Sequence, residues 1–329
     1  MSLIKIDQKA YEYNLRHIAK KIGSFQRLIC VFKDNAYGHG AKLLAPLAKN
    51  LGVSFVAVKS EEEAQEIEEF FENILILSHR PHGNENSRFI YALNDISQVK
   101  KYKQDIKIHL KIDTGMHRNG ICVENYLEHA IDLIRSSDLK LTGMFTHFAS
   151  ADEMDGSFFV QKENFQKAKK IVKKYFSNLL FHSHNSAALF RGKIPEDEYC
   201  RVGLVQFGYG DSNLKRVLSL YAHRLSQRIL QKGQSIGYGG IFTAAKDMEV
   251  ATYDLGYADG LFRYNGKGEL VLGNGKVMLG KMSMDSFSCE NSGEEICVFK
   301  DADIWADFFH TINYEILVKL NPNIQRVLV

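Results

Sequence analysis

Eight short apolar runs recur along the first two-thirds of the chain, and their spacing limits the available folds more than any other feature. They are RLICVF at 27–32, SFVAV at 54–58, ILIL at 74–77, RFIYAL at 88–93, IKIHLKI at 106–112, LTGMFTHF at 141–148, NLLFHS at 178–183 and RVGLVQF at 201–207. Each has the length of a buried strand. Charged segments with helical spacing separate several of them: SEEEAQEIEEFFEN at 60–73, NYLEHAIDLIRS at 125–136 and ENFQKAKKIVKKYF at 163–176. Strand alternating with helix predicts parallel βαβ units, and eight such units ending near residue 210 predict a (β/α)8, TIM-like barrel over 1–221. A six-stranded doubly wound sheet is the alternative. From about 222 the texture changes to strand-like pieces with glycine turns, KDMEVATYDLGYADG, GELVLGNGKVMLGKMSMDSF and EEICVF, with little helix before 311–320. A mostly β second domain is expected over 222–329.

A chain of 329 residues, 45% apolar, is long enough to bury such a core. Its formal net charge of +3 is dispersed, so composition gives no support to binding of nucleic acid or a membrane surface. No apolar run approaches the roughly 20 residues that span a bilayer, and MSLIKIDQKA lacks a signal peptide's apolar stretch; a cytoplasmic protein is expected. Five cysteines without a CxxC pair fit reduced thiols in that compartment.

In such a barrel the catalytic groups lie at the C-terminal ends of the strands. Lys33 ends the first predicted strand and enters the turn-rich loop of VFKDNAYGHG. KIDTGMHRNG at 111–120 ends the fifth, FHSHNSAA at 181–188 follows the seventh, and RVGLVQFGYG at 201–210 forms the eighth with its loop. LGYADGLFR at 255–263, LGKMSMDSF at 279–287 and HTINYEIL at 310–317 lie in the β-rich part. Taken singly, each has a bland reading. Lys33 is a strand-end lysine snorkelling to solvent, Arg118 an exposed residue on a βα turn, and Ser186 an N-cap. Likewise Arg201 reads as a surface ion-pair residue, His147 as a core histidine, and Tyr257 as a packed tyrosine. His182 and His184 lack a Cys or carboxylate partner at a ligand spacing, so no metal is expected.

Together, and in this order, the motifs resemble those of the alanine racemase family across nearly the whole chain. The resemblance implies that Lys33 holds pyridoxal 5′-phosphate as a Schiff base and serves as one catalytic base, with Tyr257 as the second on the opposite face of Cα. It assigns the cofactor to Tyr37, His147, Asn185, Ser186, Arg201, Gly203, Leu204 and Tyr314. Arg201 faces the pyridine nitrogen, His147 supports that arginine, and Gly203 and Leu204 offer backbone amides to the phosphate. Arg118, Met284 and Asp285 take the substrate side, and Lys111 is carbamylated to orient Arg118.

The family architecture further implies a homodimer in which one subunit's β domain caps the other's barrel, acting on alanine to supply D-alanine for peptidoglycan. Asp34 departs from the small residue usual after the cofactor lysine; beside Lys33 it either raises that amine's pKa or points outward. Ser283 and Ser286 replace the usual cysteine and glutamine, which leaves a broader-specificity amino-acid racemase open. A non-catalytic pyridoxal-phosphate carrier is the rival class, opposed by Tyr257 and the long C-terminal region.

Overall fold

The computed structural model describes residues 1–151, 153 and 156–329. The eight predicted runs form the strands Leu28–Val31, Phe55–Val58, Asn73–Ile76, Ile90–Leu93, Lys107–Asp113, Lys140–Phe145, Leu180–His184 and Glu198–Val202. They pair in parallel in chain order, and the eighth returns to the first through Cys200↔Leu28 and Val202↔Cys30. The ring is closed, so the barrel and not the open doubly wound sheet is the fold.

Helix Val123–Arg135 turns Leu127, Ala130, Ile131 and Ile134 into the core, the spacing that one buried helical face requires. Helix Ser157–Val172 does the same with Phe158, Phe165, Ala168 and Val172. The expected helix over 60–73 is shorter, running only over Glu61–Gln65 before the chain breaks into turns. Glu62 and Glu66 repel at i,i+4, as do Glu63 and Glu66 at i,i+3, and further glutamates would crowd the carbonyl end of a longer helix, where the macrodipole disfavours anions.

Barrel residues Glu12–Ala36 and Ala41–Leu214 form one compact unit. The second takes in Met1–Tyr11, Tyr37–Gly40 and Lys215–Val329. Its seven-stranded sheet is organised on the long strand Leu218–Leu230, which pairs antiparallel with Leu3–Ile6, Met248–Tyr253 and Glu295–Phe299. Leu3–Ile6 also pairs in parallel with Gln325–Leu328, so the two ends of the chain lie side by side in one sheet. In that strand Ile4 and Ile6 are fully buried while Leu3 and Lys5 are partly exposed, the period-2 alternation of a one-faced strand. The helix anticipated late in the chain is Asn313–Val318, and a further helix, Ala302–Phe309, precedes it.

No helix among the described residues is long and apolar enough to cross a membrane. All five cysteines are free thiols, and four of them are buried.

The barrel interior carries a polar stack as well as aliphatic layers. His109 lies over Gly143, where a Cβ would stand 2.5 Å from Nε2 and 2.6 Å from Cε1 of its ring. Gly143→Ala is therefore an overpacking substitution, expected to cost about 1–3 kcal/mol. A fall in the urea midpoint of the purified protein checks it.

Candidate active site

Lys33 stands at the end of the first barrel strand, where the backbone changes hand. Asp34, Asn35, Ala36 and Tyr37 have φ of 53°, 53°, 53° and 52°, a turn of left-handed helix without a glycine. Such backbone costs roughly 1–2 kcal/mol per residue and persists only where its surroundings hold it. Here Glu63 Oε1 accepts the Asp34 N–H at 2.6 Å, Asn35 Oδ1 accepts the Ala41 N–H at 2.8 Å, and the Ala36 N–H donates to Phe32 O at 2.8 Å. The other Glu63 oxygen takes the Lys59 N–H at 2.7 Å. Asp34 turns its carboxylate to Lys59 Nζ, 3.2 Å away, which answers the question its sequence position raised. Glu63 was not anticipated, yet it anchors the turn.

Arg201, on the eighth strand, is buried and fixed by neutral acceptors. One Nη donates to His182 Nδ1 and to His182 O, both at 2.8 Å; the other donates to Thr146 O at 2.6 Å. A guanidinium only donates, so His182 carries its own proton on Nε2, which donates to His109 Nδ1 at 2.8 Å. The tautomers of both rings follow from that direction. Burial, then the charge of Arg201, holds His109 at about 3 and His182 well below the usual imidazole range, so both are neutral at working pH. Support for Arg201 therefore comes from His182, which the sequence weighed only as a metal ligand, and through it from His109. Both histidines stand beside apolar neighbours in predicted strands, Ile108 and Leu110 about His109 and Phe181 before His182, and that was the available signal.

His147 marks where the cations converge. Burial first, then Arg201, Lys111, Arg118 and Lys33 in that order, depress its pKa to about 3. These side chains come from the first, fifth and eighth strands and the loops that follow them. Lys111 is itself lowered to about 8 by burial, by Arg118 and by Arg201, and its Nζ donates to Asn119 Oδ1. Arg118 is exposed on the loop that Asp113 Oδ1 folds by accepting the N–H groups of Gly115, Met116 and His117 at 3.0–3.1 Å.

Two strand ends away, Asn185 caps helix Ser186–Arg191 by accepting the Ala188 N–H at 3.0 Å and ties it down through Phe148 O at 3.1 Å. Ser186 is thereby released from capping, and its Oγ accepts the Gly203 N–H at 2.9 Å, just before the turn that begins at Leu204. The Ser186 hydroxyl, which accepts from Gly203 and keeps its own hydrogen to donate, stands with several cations on neighbouring strand ends, a donor set for an anion.

In the β unit the loop carrying Tyr257 is sewn to the loop carrying Met284. Tyr257 N–H donates to Ser283 O at 3.3 Å and Ala258 N–H to Met284 O at 2.9 Å. Only glycine fits at 256, where a Cβ would collide with the Met284 carbonyl. Tyr257, Met284 and Asp285 are thus brought together, and all three are exposed. Arg263 stands 6.0 Å from the Tyr257 ring centroid. Tyr37 and Tyr314 also meet, edge to face, with ring centroids 5.8 Å apart.

The family model for the alanine racemase N-terminal domain matches residues 6–211, and that for the C-terminal domain matches 217–328. An alanine racemase of Campylobacter jejuni is 99% identical over 329 residues, covering 100% of both chains. The solved alanine racemase of Clostridium difficile superposes with a TM-score of 0.92 at 25% identity, over 100% of this chain and 95% of that one. That of Bartonella henselae, described with covalently bound pyridoxal phosphate, gives 0.84 at 25% identity over 100% and 99%.

The buried histidines impose a pH dependence with a definite sign. Below about 6.5 the unfolded chain takes up protons that the folded chain refuses until about 3, so their contribution to stability is complete above 6.5 and lost as pH falls. Urea midpoints should decline between pH 6.5 and 5, above the range where carboxylates titrate, and His109→Gln should flatten that decline.

Proposed function

The chain belongs to the alanine racemase family, and from that premise we propose how its own side chains divide the inversion of alanine's α-carbon. The reaction interconverts L- and D-alanine, acts in the cytoplasm and supplies D-alanine for peptidoglycan. Bound pyridoxal phosphate supplies the electron sink that acidifies the α-hydrogen. The observation that carries the assignment is the gathering of Lys33, Lys111, Arg118 and Arg201 about the neutral, half-buried His147, with Lys111 and Arg201 both over the Phe145 ring at 5.9 and 5.2 Å from its centroid. That set suits a ligand bringing a phosphate, a phenolic oxygen and a substrate carboxylate.

Lys33 holds the cofactor. Ser186, Gly203 and Leu204 bind its phosphate, joined by the hydroxyls of Tyr37 and Tyr314, while Asn185 keeps Ser186 in place. Arg201 faces the ring nitrogen. Because arginine does not readily surrender its proton, Arg201 would hold the ring of a bound cofactor without protonating it, and the group would then supply a weaker electron sink. His147 packs against the cofactor without adding charge. Arg118 binds the carboxylate of alanine, and Lys111 positions it. With its amine lowered to about 8, Lys111 has the unprotonated fraction that carbamylation by carbon dioxide requires.

The proton moves between two groups on opposite faces of Cα: Lys33 takes it from D-alanine and Tyr257 from L-alanine. Both residue types have ordinary pKa values near 10, so each works as a base only where neighbouring cations favour its deprotonated form. The exposed group of Tyr257, Met284 and Asp285 acts on the barrel of a second subunit, with the Met284 backbone amide and Asp285 shaping the substrate pocket.

Lys33→Ala and Tyr257→Phe should each reduce racemisation by about 10²–10⁴-fold. Mixing the two variants under conditions of subunit exchange should restore activity, since one heterodimer site then carries both bases. No recovery despite demonstrated exchange would rule out the shared site. Asp34→Ala should change kcat/KM by no more than about fivefold, because the exposed pair it breaks is worth about 0–1 kcal/mol; a chiral assay of both enantiomers measures it.

A further inference from the structure

We propose that Glu61, His79 and His82 form a binding site for a divalent transition-metal ion of the zinc class at the rim of the barrel unit. One ligand atom from each residue lies within 4.8 Å of the other two. Glu61 begins the helix after the second barrel strand, and both histidines lie in the loop after the third. Two imidazoles and a carboxylate are a donor set for zinc that leaves a coordination position for water.

The surroundings of the three residues supply what a metal site needs beyond its ligands. His79 Nε2 is 3.2 Å from Oε1 of Glu85, a fully buried carboxylate. The same oxygen accepts the backbone N–H groups of His82 at 2.7 Å and Gly83 at 3.2 Å, and Oε2 accepts that of Lys103 at 2.7 Å. Glu85 is therefore the acceptor, His79 carries its proton on Nε2, and the Nδ1 lone pair is left for a ligand bond. This is the carboxylate–histidine pairing that orients metal-bound imidazoles. Glu61 has an outer partner too: Tyr91 donates its hydroxyl to Oε1 at 2.5 Å, fixing the carboxylate and leaving Oε2 for a cation.

His82 is the adjustable ligand. It is half exposed, its Nδ1 accepts the Asn84 N–H at 3.2 Å, and that same nitrogen lies 3.9 Å from Glu85 Oε1. Ligation through Nε2 moves the ring proton to Nδ1, which then gives up the bond from Asn84, and rotation of the half-exposed ring would close the 3.9 Å to Glu85 Oε1. The imidazoles favour zinc, cobalt or nickel over magnesium or calcium.

The site has a physical route to the Lys33 turn. Glu61 is two residues from Glu63, whose carboxylate holds the Asp34 and Lys59 amides. A cation at Glu61 would therefore brace the segment that anchors the left-handed turn.

The test is equilibrium dialysis of tag-free holoenzyme against zinc chloride, with metal measured per chain. Wild type should take up one zinc ion saturably, and magnesium should not compete. His82→Ala and Glu61→Gln should each weaken uptake at least tenfold, Tyr91→Phe should weaken it about 10–100-fold as an outer partner, and the exposed control His129→Ala should leave it unchanged. His82 is surface-exposed, and in Glu61→Gln the amide oxygen still accepts from Tyr91, so both variants retain the fold; the visible spectrum of the bound cofactor verifies this. No saturable uptake by wild type, or equal uptake by wild type, His82→Ala and Glu61→Gln, overturns the proposal.

Discussion

The candidate site depends on one buried interaction, the donation from Arg201 to His182 and onward to His109. A guanidinium at the heart of a barrel needs acceptors that do not cancel its charge, and the neutral imidazole of His182, backed by that of His109, meets that need with two carbonyls. Each member constrains the next. Arginine fixes the His182 tautomer, His182 fixes that of His109, and His109 requires a residue without a side chain at Gly143. Phe145 closes the stack, its ring parallel to His182 at 4.7 Å between centroids. The hydrogen-bonded series therefore couples the barrel rim to packing deep inside, and it explains why His109 and His182 sit fully enclosed in the barrel strands.

A second constraint is the placement of the strained turn after Lys33. Four successive left-handed residues without glycine are costly, and the hydrogen bonds at Asp34, Asn35 and Ala36 secure three of them. The strand thus ends abruptly at Lys33 instead of continuing past the rim. Asp34, the one departure from the family pattern in this loop, spends its charge on Lys59 at the partly exposed edge.

Much of this was legible in the sequence because it rests on local periodicity. All eight barrel strands follow from short apolar runs, and helix Val123–Arg135 follows from its buried face. Leu3–Ile6 was not read as a strand, since four residues give little periodic signal and its partners, Leu218–Leu230 and Gln325–Leu328, are remote in the chain. The helix over 60–73 was overestimated because hydrophobic spacing outweighed the repulsion among its glutamates. Candidate site residues were assigned where a motif carries them, as at Lys33, Arg201 and Tyr257. Roles exerted through another side chain were not legible: His182 and His109 behind Arg201, Glu63 behind Lys33, and Asn185, expected at the cofactor, as the cap that frees Ser186. Their roles lie in tertiary hydrogen bonds, which no single segment encodes.

The proposed inversion uses two bases on opposite faces of one carbon, with Lys33 on the face of D-alanine. The most direct measurement is α-hydrogen exchange by Tyr257→Phe in deuterium oxide, followed by NMR and chiral chromatography for each enantiomer separately. With Lys33 as the remaining base, D-alanine should acquire deuterium at Cα with retention of configuration while L-alanine exchanges far more slowly. Preferential exchange of L-alanine, or equal exchange of both, would contradict the assignment.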